Sequence, residues 1–234
     1  MNLDGKIILV SGGSAGIGLE TARMLKSKEA RVIINARNEA RLKAAGKELN
    51  VATIQGDVSI EADVQRIYNF IKKEFGRLDA LINNAGYGYF DLLENIDTGK
   101  FQKVFATNVA GTMMMAREAA KIFIKQNYGN IVNISSTAGL NGFAGGTAYS
   151  ATKFALKSMT ECWRAELRKY NVRVILINPS EVQTDFVVNS GREARAFNPS
   201  KLQGVDIAHA ICAALEMEDR GFVTELTVFA TNPK

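Results

Sequence analysis

Short apolar runs rich in β-branched residues alternate with longer amphipathic stretches along almost the whole chain, and this alternation limits the possible folds more than any other feature. Strand candidates fall at residues 6–11, 31–35, 51–55, 80–83, 130–135, 173–178 and 224–228. Between them the apolar residues recur at helical spacing over 16–28, 39–48, 60–75, 98–126, 148–170 and 205–217. A strand that is apolar on every residue, not every second one, is covered on both faces, and intervening helices supply that cover. The expected fold is therefore α/β, a doubly wound parallel sheet of about seven strands with helices on both faces.

Nothing divides this pattern. The 234 residues hold three prolines, no internal repeat and no Pro/Gly/Ser-rich linker, so a single domain over 1–234 is expected. The segment 181–203 has no clear period, is rich in Asn, Ser, Arg and Gly, and follows the carboxyl end of a strand, which is where a lid over a ligand crevice belongs. With 47% hydrophobic and 23% charged residues the chain has the balance of a soluble globular protein. The net charge of +5 comes from Lys and Arg interleaved with Glu and Asp, without a basic block or basic-aromatic ladder, which argues against a nucleic-acid partner. No apolar run approaches the roughly 18 residues of a membrane span, and the first, at 7–10, is too short for a secretion signal. Cys162 and Cys212 have neither metal-ligand nor disulfide spacing. A cytoplasmic protein with no metal site is expected.

Directly after the first strand comes Ser11-Gly12-Gly13-Ser14-Ala15-Gly16-Ile17-Gly18, opening a helix. Glycines there let the backbone turn tightly and approach a pyrophosphate, whose charge suits the unpaired N–H groups at a helix start. A bare tight turn accounts for one glycine, not for four in seven residues. The same residues also spell Gly12-x-Ser14-x-Gly16, the nucleophile elbow of α/β hydrolases. That reading requires an oxyanion donor from an earlier strand-to-helix loop, yet only one strand precedes Ser14. It also requires a base from the single histidine, His209, which lies in mid-helix. The phosphate cradle is the better reading.

Sites for NAD place an acid about 20 positions beyond the glycines, on the ribose 2′-hydroxyl. Here Ala36 stands at that point and Arg37 follows. An arginine can clamp a 2′-phosphate with its planar fork, so NADP is favoured over NAD.

Tyr149 and Lys153 are four residues apart and so share a helix face. A neighbouring cation favours the phenolate, which equips such a tyrosine to give a proton to a carbonyl oxygen and take it back. Ser136 follows the strand at 130–135 at its carboxyl end, where its hydroxyl can polarise a substrate oxygen. Ser135 is its rival: successive strand residues face opposite ways, so only one of the two meets the crevice.

Together these residues resemble the short-chain dehydrogenase/reductase family over essentially the whole chain. Residues 11–18 are similar to its Thr-Gly-x-x-x-Gly-x-Gly fingerprint, with Ser11 for threonine and Gly12, Gly16 and Gly18 kept. Asp57, in Gly-Asp-Val with Val58, resembles the adenine-contacting aspartate, and Asn83-Asn84-Ala85-Gly86 resembles the segment that lines the cofactor site. The resemblance implies a Rossmann fold and assigns roles. Asn108 would hold a water in a proton relay, Ser136 would polarise substrate and Tyr149 would be the acid/base. Lys153 would bind the nicotinamide ribose and depress the tyrosine pKa. Residues 178–184, with Pro179, Val182 and Thr184, are similar to the nicotinamide-facing Pro-Gly segment, with Ser180 in place of glycine.

The implied activity is hydride transfer between NADP and a carbonyl or alcohol, most simply carbonyl reduction by a homodimer or homotetramer acting on a small molecule. A dinucleotide sensor without activity need not retain four catalytic positions, and an epimerase or dehydratase relative is disfavoured by the glycine spacing and by the missing C-terminal substrate domain. Tyr87, Tyr89, Phe90, Phe143, Phe186 and Phe197 fall in loops expected to surround the crevice and suggest an apolar or aromatic pocket. Arg192 and Arg195 are candidates for meeting an acidic substrate group.

Overall fold

A computed structural model describes residues 1–191, 193 and 196–232. Its strands are β1 Ile7–Ser11, β2 Arg31–Ala36, β3 Ala52–Gln55, β4 Ala80–Asn83, β5 Gly129–Ile134, β6 Val172–Pro179, β7 Val182–Gln183, β8 Leu202–Gln203 and β9 Glu225–Val228. Seven of these form one sheet in the order β3-β2-β1-β4-β5-β6-β9, parallel at every pairing. All seven strands expected from the apolar runs are present.

The helices are α1 Gly16–Ser27, α2 Glu39–Leu49, α3 Glu61–Phe75, α4 Thr98–Phe105, α5 Thr112–Gln126, α6 Thr147–Leu167, α7 Phe186–Asn189 and α8 Gly204–Glu216. Strand residues alternate between two cores. Ile8, Val10, Ile34, Ile82, Val132 and Ile175 pack with α1 and α8 on one face, through Ala22, Leu25, Ile207 and Ile211. Leu9, Ile33, Leu81, Ile131 and Val174 pack with α3 and α5 on the other, through Ile67, Ile71, Met115 and Phe123. Each such side chain is worth about 1.5–3 kcal/mol in removal from water, and this two-sided burial is what the continuous apolar runs encode. Among the described residues no helix is long and apolar enough to cross a membrane.

Two departures from expectation bear on the site. The stretch 98–126 is not one regular helix, because residues Ala106–Gly111 between α4 and α5 form a π-helical turn that contains Asn108. The aperiodic segment 181–203 contains the one-turn α7 and a small parallel pair, β7 with β8.

The sheet's amino end is closed by a buried polar cluster. Arg173, at the start of β6, donates from Nε to Asn130 Oδ1 (2.6 Å) and from Nη2 and Nη1 to the carbonyls of Leu215 (2.9 Å) and Met217 (3.0 Å) at the end of α8. Asn130 in turn donates to the Asp79 carbonyl at 3.1 Å. The carboxyl end is left open. There β1 lies between β2 and β4, so chain crossovers leave it in opposite directions and part above the strands.

Removing Arg173 strands several buried acceptors far from that opening. Arg173→Leu is expected to lose on the order of 3 kcal/mol in urea unfolding while leaving the open end unaltered. A loss below about 1 kcal/mol would show that the cluster does not hold α8 to the sheet.

Candidate active site

The turn from β1 into α1 is built around two left-handed glycines, Gly12 (φ 64°) and Gly16 (φ 54°). Ser11 and Asn84 stitch it to β4. Ser11 Oγ donates to the Ile82 carbonyl (3.2 Å) and accepts from the N–H groups of Asn84 and Ala85 (both 3.1 Å), while Asn84 Nδ2 donates to the carbonyls of Ser11 (3.0 Å) and Gly12 (3.1 Å). A side chain at Gly18 would collide with the Gly12 carbonyl and Asn84, so Gly18 serves packing beneath the turn and does not face the crevice. Ala15, at the N-cap of α1, provides no side-chain cap, and no acid lies in the helix's first turn. Its first N–H groups and the positive end of its dipole are thus left for an anion.

This turn opens into a crevice of about 1450 Å³ at the sheet's carboxyl end. Gly12, Ser14, Gly16, Ile17, Arg37, Val58, Asn84, Ala85 and Gly86 line it. Ser136, Tyr149, Lys153, Pro179 and Val182 also line it, as does Thr184, which stands against Gly16. Asp57 stands just behind the lining. Its Oδ1 accepts from the N–H (2.9 Å) and hydroxyl (2.7 Å) of Ser59, and its Oδ2 lies 3.5 Å from Arg37 Nη1. Arg37 also lies over the Tyr87 ring, 6.0 Å from its centroid. Asn38 and Arg41, unnoticed in the sequence, share this end of the crevice. Arg41 was findable as the basic residue four positions beyond Arg37, and its Nη1 lies 3.7 Å from Asp185 Oδ2 across the opening.

Both serines line the crevice, contrary to the expectation that only one would, and what separates them is the bonding of their hydroxyls. Ser135 is buried and its hydroxyl donates to the Lys153 carbonyl at 3.3 Å. Ser136 is half-buried on the crevice wall, where its Oγ accepts from the Ala138 N–H (3.1 Å). That bond uses an oxygen lone pair, and among the described residues no acceptor takes the Ser136 hydroxyl hydrogen. It remains to be given to a ligand.

Tyr149 and Lys153 both lie on α6, one turn apart, with Lys153 Nζ 5.6 Å from the tyrosine ring centroid. Lys153 is buried and donates to the Ile134 carbonyl at 2.9 Å, and burial pulls its pKa down from 10.5 to about 8. Asn108 does not reach the crevice surface. Its Nδ2 donates to the Tyr87 carbonyl (2.9 Å) and to Thr152 Oγ1 (3.1 Å), while its Oδ1 accepts from the Tyr87 N–H (3.1 Å). It ties the segment after β4 to α6, with Thr152 as a partner that no sequence signal announced. Ser180 does not have a left-handed backbone, and its N–H donates to the Val228 carbonyl at 2.9 Å. The turn after β6 therefore does not need the family's glycine.

The six loop aromatics divide. Phe90, Phe143 and Phe186 line the crevice beside Tyr149, and Tyr87 lines its Arg37 end. Tyr89 turns away: its hydroxyl accepts from the Asp97 N–H (2.8 Å). Phe197 is 74% exposed and absent from the lining. Phe229, from beyond β9, lines the crevice instead, a placement that only the pairing of β9 with β6 makes. Arg192 and Arg195 lie outside the described residues. The hydrolase reading finds no base, since His209 is exposed on α8 and does not line the crevice.

Comparison with known proteins gives the same picture. Residues 6–195 match the family model described as short chain dehydrogenase. The chain is 33% identical to the NADP-dependent 3-hydroxy acid dehydrogenase of Schizosaccharomyces pombe, over 98% of this chain and 94% of that protein. Among solved structures, the closed form of serine dehydrogenase complexed with NADP+ superposes with a TM-score of 0.90 at 28% identity, covering 95% of this chain and 94% of that one. Levodione reductase superposes with a TM-score of 0.89 at 26% identity, covering 97% of each chain.

The buried Lys153 has a measurable signature. Its folded pKa lies below the ordinary value, so between about pH 8 and 10.5 the unfolded chain holds the proton that the folded one has released, and stability rises with pH across that window. Lys153→Met lacks this rise. Relative to wild type, the variant should be favoured most near neutral pH, and the difference should narrow by on the order of 3 kcal/mol toward about pH 10.5 in chemical unfolding. A difference independent of pH would show that the lysine is not desolvated.

Proposed function

The chain belongs to the short-chain dehydrogenase family, and we propose that it is an NADP-dependent oxidoreductase that reduces the carbonyl group of a small molecule. The observation that carries this reading is the opening of Ser136, Tyr149 and Lys153 into the same crevice as the uncapped start of α1. NADP fits the residues present. The free N–H groups at Gly16 and Ile17, with the Gly12 turn and Ser14, suit the pyrophosphate, and Arg37, where an acid would stand for NAD, suits the 2′-phosphate. Asn84, Ala85, Gly86, Lys153, Pro179, Val182 and Thr184 would hold the nicotinamide half. The NADP dependence named for the fission-yeast relative and the NADP+ in the serine dehydrogenase complex support the choice.

When bound, NADPH supplies the hydride for the carbonyl carbon. The chain's own residues manage the oxygen. Ser136 donates its uncommitted hydroxyl hydrogen to the carbonyl oxygen and so stabilises the charge that develops there. Tyr149 transfers its phenolic proton to that oxygen, and the Lys153 ammonium, held near the ring, favours the phenolate left behind. Asn108, fixed between Tyr87 and Thr152, is placed by this reading in the relay that returns a proton from solvent. The segment 181–203 acts as the lid, supplying Glu181, Val182, Thr184, Asp185, Phe186 and Val187 to the lining. A homodimer or homotetramer belongs to the same reading, supported by the exposed Phe154 on α6.

Two substitutions test this. Tyr149→Phe should lower kcat for carbonyl reduction by about 100-fold or more, with NADPH binding retained. Full activity in that variant would sink the mechanism. Arg37→Ala should weaken NADPH binding about 10-fold and change NADH binding by less than about twofold, as followed by cofactor fluorescence. Equal losses for both cofactors would remove the phosphate clamp.

A further inference from the structure

We propose that the substrate is an uncharged ketone carrying an aromatic ring, and that Phe90, seated by Gly88, determines this preference; the proposal rests on the carbonyl-reductase reading. Four rings meet at the substrate end of the crevice although they come from separate parts of the chain. Phe90, from the loop after β4, has its centroid 5.3 Å from Tyr149, 6.2 Å from Phe143 and 6.5 Å from Phe186. Phe186, on α7, is 5.4 Å from Tyr149. Phe90 is thus the hub of a wall that ends at the acid/base itself. These separations are those of tilted and edge-to-face aromatic pairs, a geometry that a further flat ring can join. The wall is not core: Phe143 is 50% exposed, and Phe90 and Phe186 are only partly buried.

The rings occupy space that glycines leave for them. A Cβ at Gly88 would collide with the far edge of the Phe90 ring and lie 3.0 Å from Phe186 Cζ. A Cβ at Gly146 would lie 2.7 Å from Phe143 Cζ. Neither glycine has a left-handed backbone, so turn geometry does not require them. Ring placement does.

Charge points the same way. Glu181 lines the crevice but is paired with Lys201 (2.8 Å), and Asp185 faces Arg41 (3.7 Å), so neither brings an unpaired charge to the rings. Lys153 is buried, donates to the Ile134 carbonyl and lies 5.6 Å from the Tyr149 ring centroid, while Arg37 and Arg41 stand beside Asp57 and Asp185. Among the described lining residues the only cation beside the rings is therefore Lys153, which is buried and already bonded to the Ile134 carbonyl, so a substrate carboxylate finds no exposed cationic partner there. Such a group would be desolvated with no exposed cation to compensate it, whereas a neutral aryl ketone incurs a far smaller desolvation cost on entering.

The test compares acetophenone with the straight-chain methyl ketone of equal carbon count and with the keto acid of the same chain length, using the full protein and NADPH. Acetophenone should lead the chain ketone in kcat/KM by about 10-fold and the keto acid by about 100-fold. Phe90→Ala should collapse the first ratio to about twofold, and Gly88→Ala should do the same although every phenylalanine is retained, because its methyl group drives the Phe90 ring from the wall. Calorimetric binding of acetophenone to protein saturated with NADP+ should weaken about 10-fold in both variants. Preference for the keto acid or the chain ketone, or variants that keep the wild-type ratio, would overturn the proposal and leave the reductase reading standing. Loss of NADPH binding by the wild-type protein would remove both.

Discussion

Everything at the functional end depends on how β1 is joined to β4. The two strands are neighbours in the sheet although two other strands intervene in the chain, and their ends carry the cradle on one side and the Asn83–Gly86 segment on the other. Ser11 and Asn84 hold these ends in register with five hydrogen bonds, made by two side chains to backbone groups. Because the bonds satisfy groups that a left-handed turn would leave without strand partners, the turn can keep its shape with an empty face toward the crevice. A helix start presented by such a turn is preorganised for an anion and needs no rearrangement to receive one.

The catalytic side is organised by the same economy of buried polar groups. Ser135 and Ser136 are adjacent, yet one hydroxyl is consumed in fastening β5 to α6 and the other faces outward. Asn108 fastens α6 to the loop after β4 through Thr152 and Tyr87. The tyrosine and lysine thus sit on a helix braced from two directions. Burial that holds Lys153 in place also lowers its affinity for a proton, so position and proton chemistry come from one cause.

Much of this was legible in the residues. The seven strands announced themselves as β-branched runs because both faces of the sheet are covered, and the cradle did so because four close glycines have few other uses. Tyr149 and Lys153 followed from helical spacing. What stayed hidden was what depends on long-range pairing. Ser135 and Ser136, which both line the crevice, could not be told apart until α6 was packed against one of them. The strands β7 and β8 have two residues each, too few to show a period. Tyr89 and Phe197 looked like pocket residues on loop position alone, but Tyr89 is claimed by the Asp97 backbone and Phe197 is exposed and does not line the crevice. Phe229 was missed for the converse reason, since it arrives through the edge strand β9. The interrupted helix at 106–111 was invisible because one added residue in a turn barely disturbs a mixed apolar pattern.

That interruption also sets a phase. A π-helical turn takes up one residue more than the surrounding helix would, and so advances everything after it by about a hundred degrees of rotation. The face that α4 presents is not the face that α5 continues, and the two can answer to different neighbours while remaining a single rod. Asn108 sits inside the slip, where its amide can turn to the loop after β4 and to α6 together. Screwed straight by the loss of one residue, the rod would keep its length and its packing partners at one end, but it would aim the wrong side chain at Thr152. The site thus owes its alignment to an irregularity that a smoother helix would have removed.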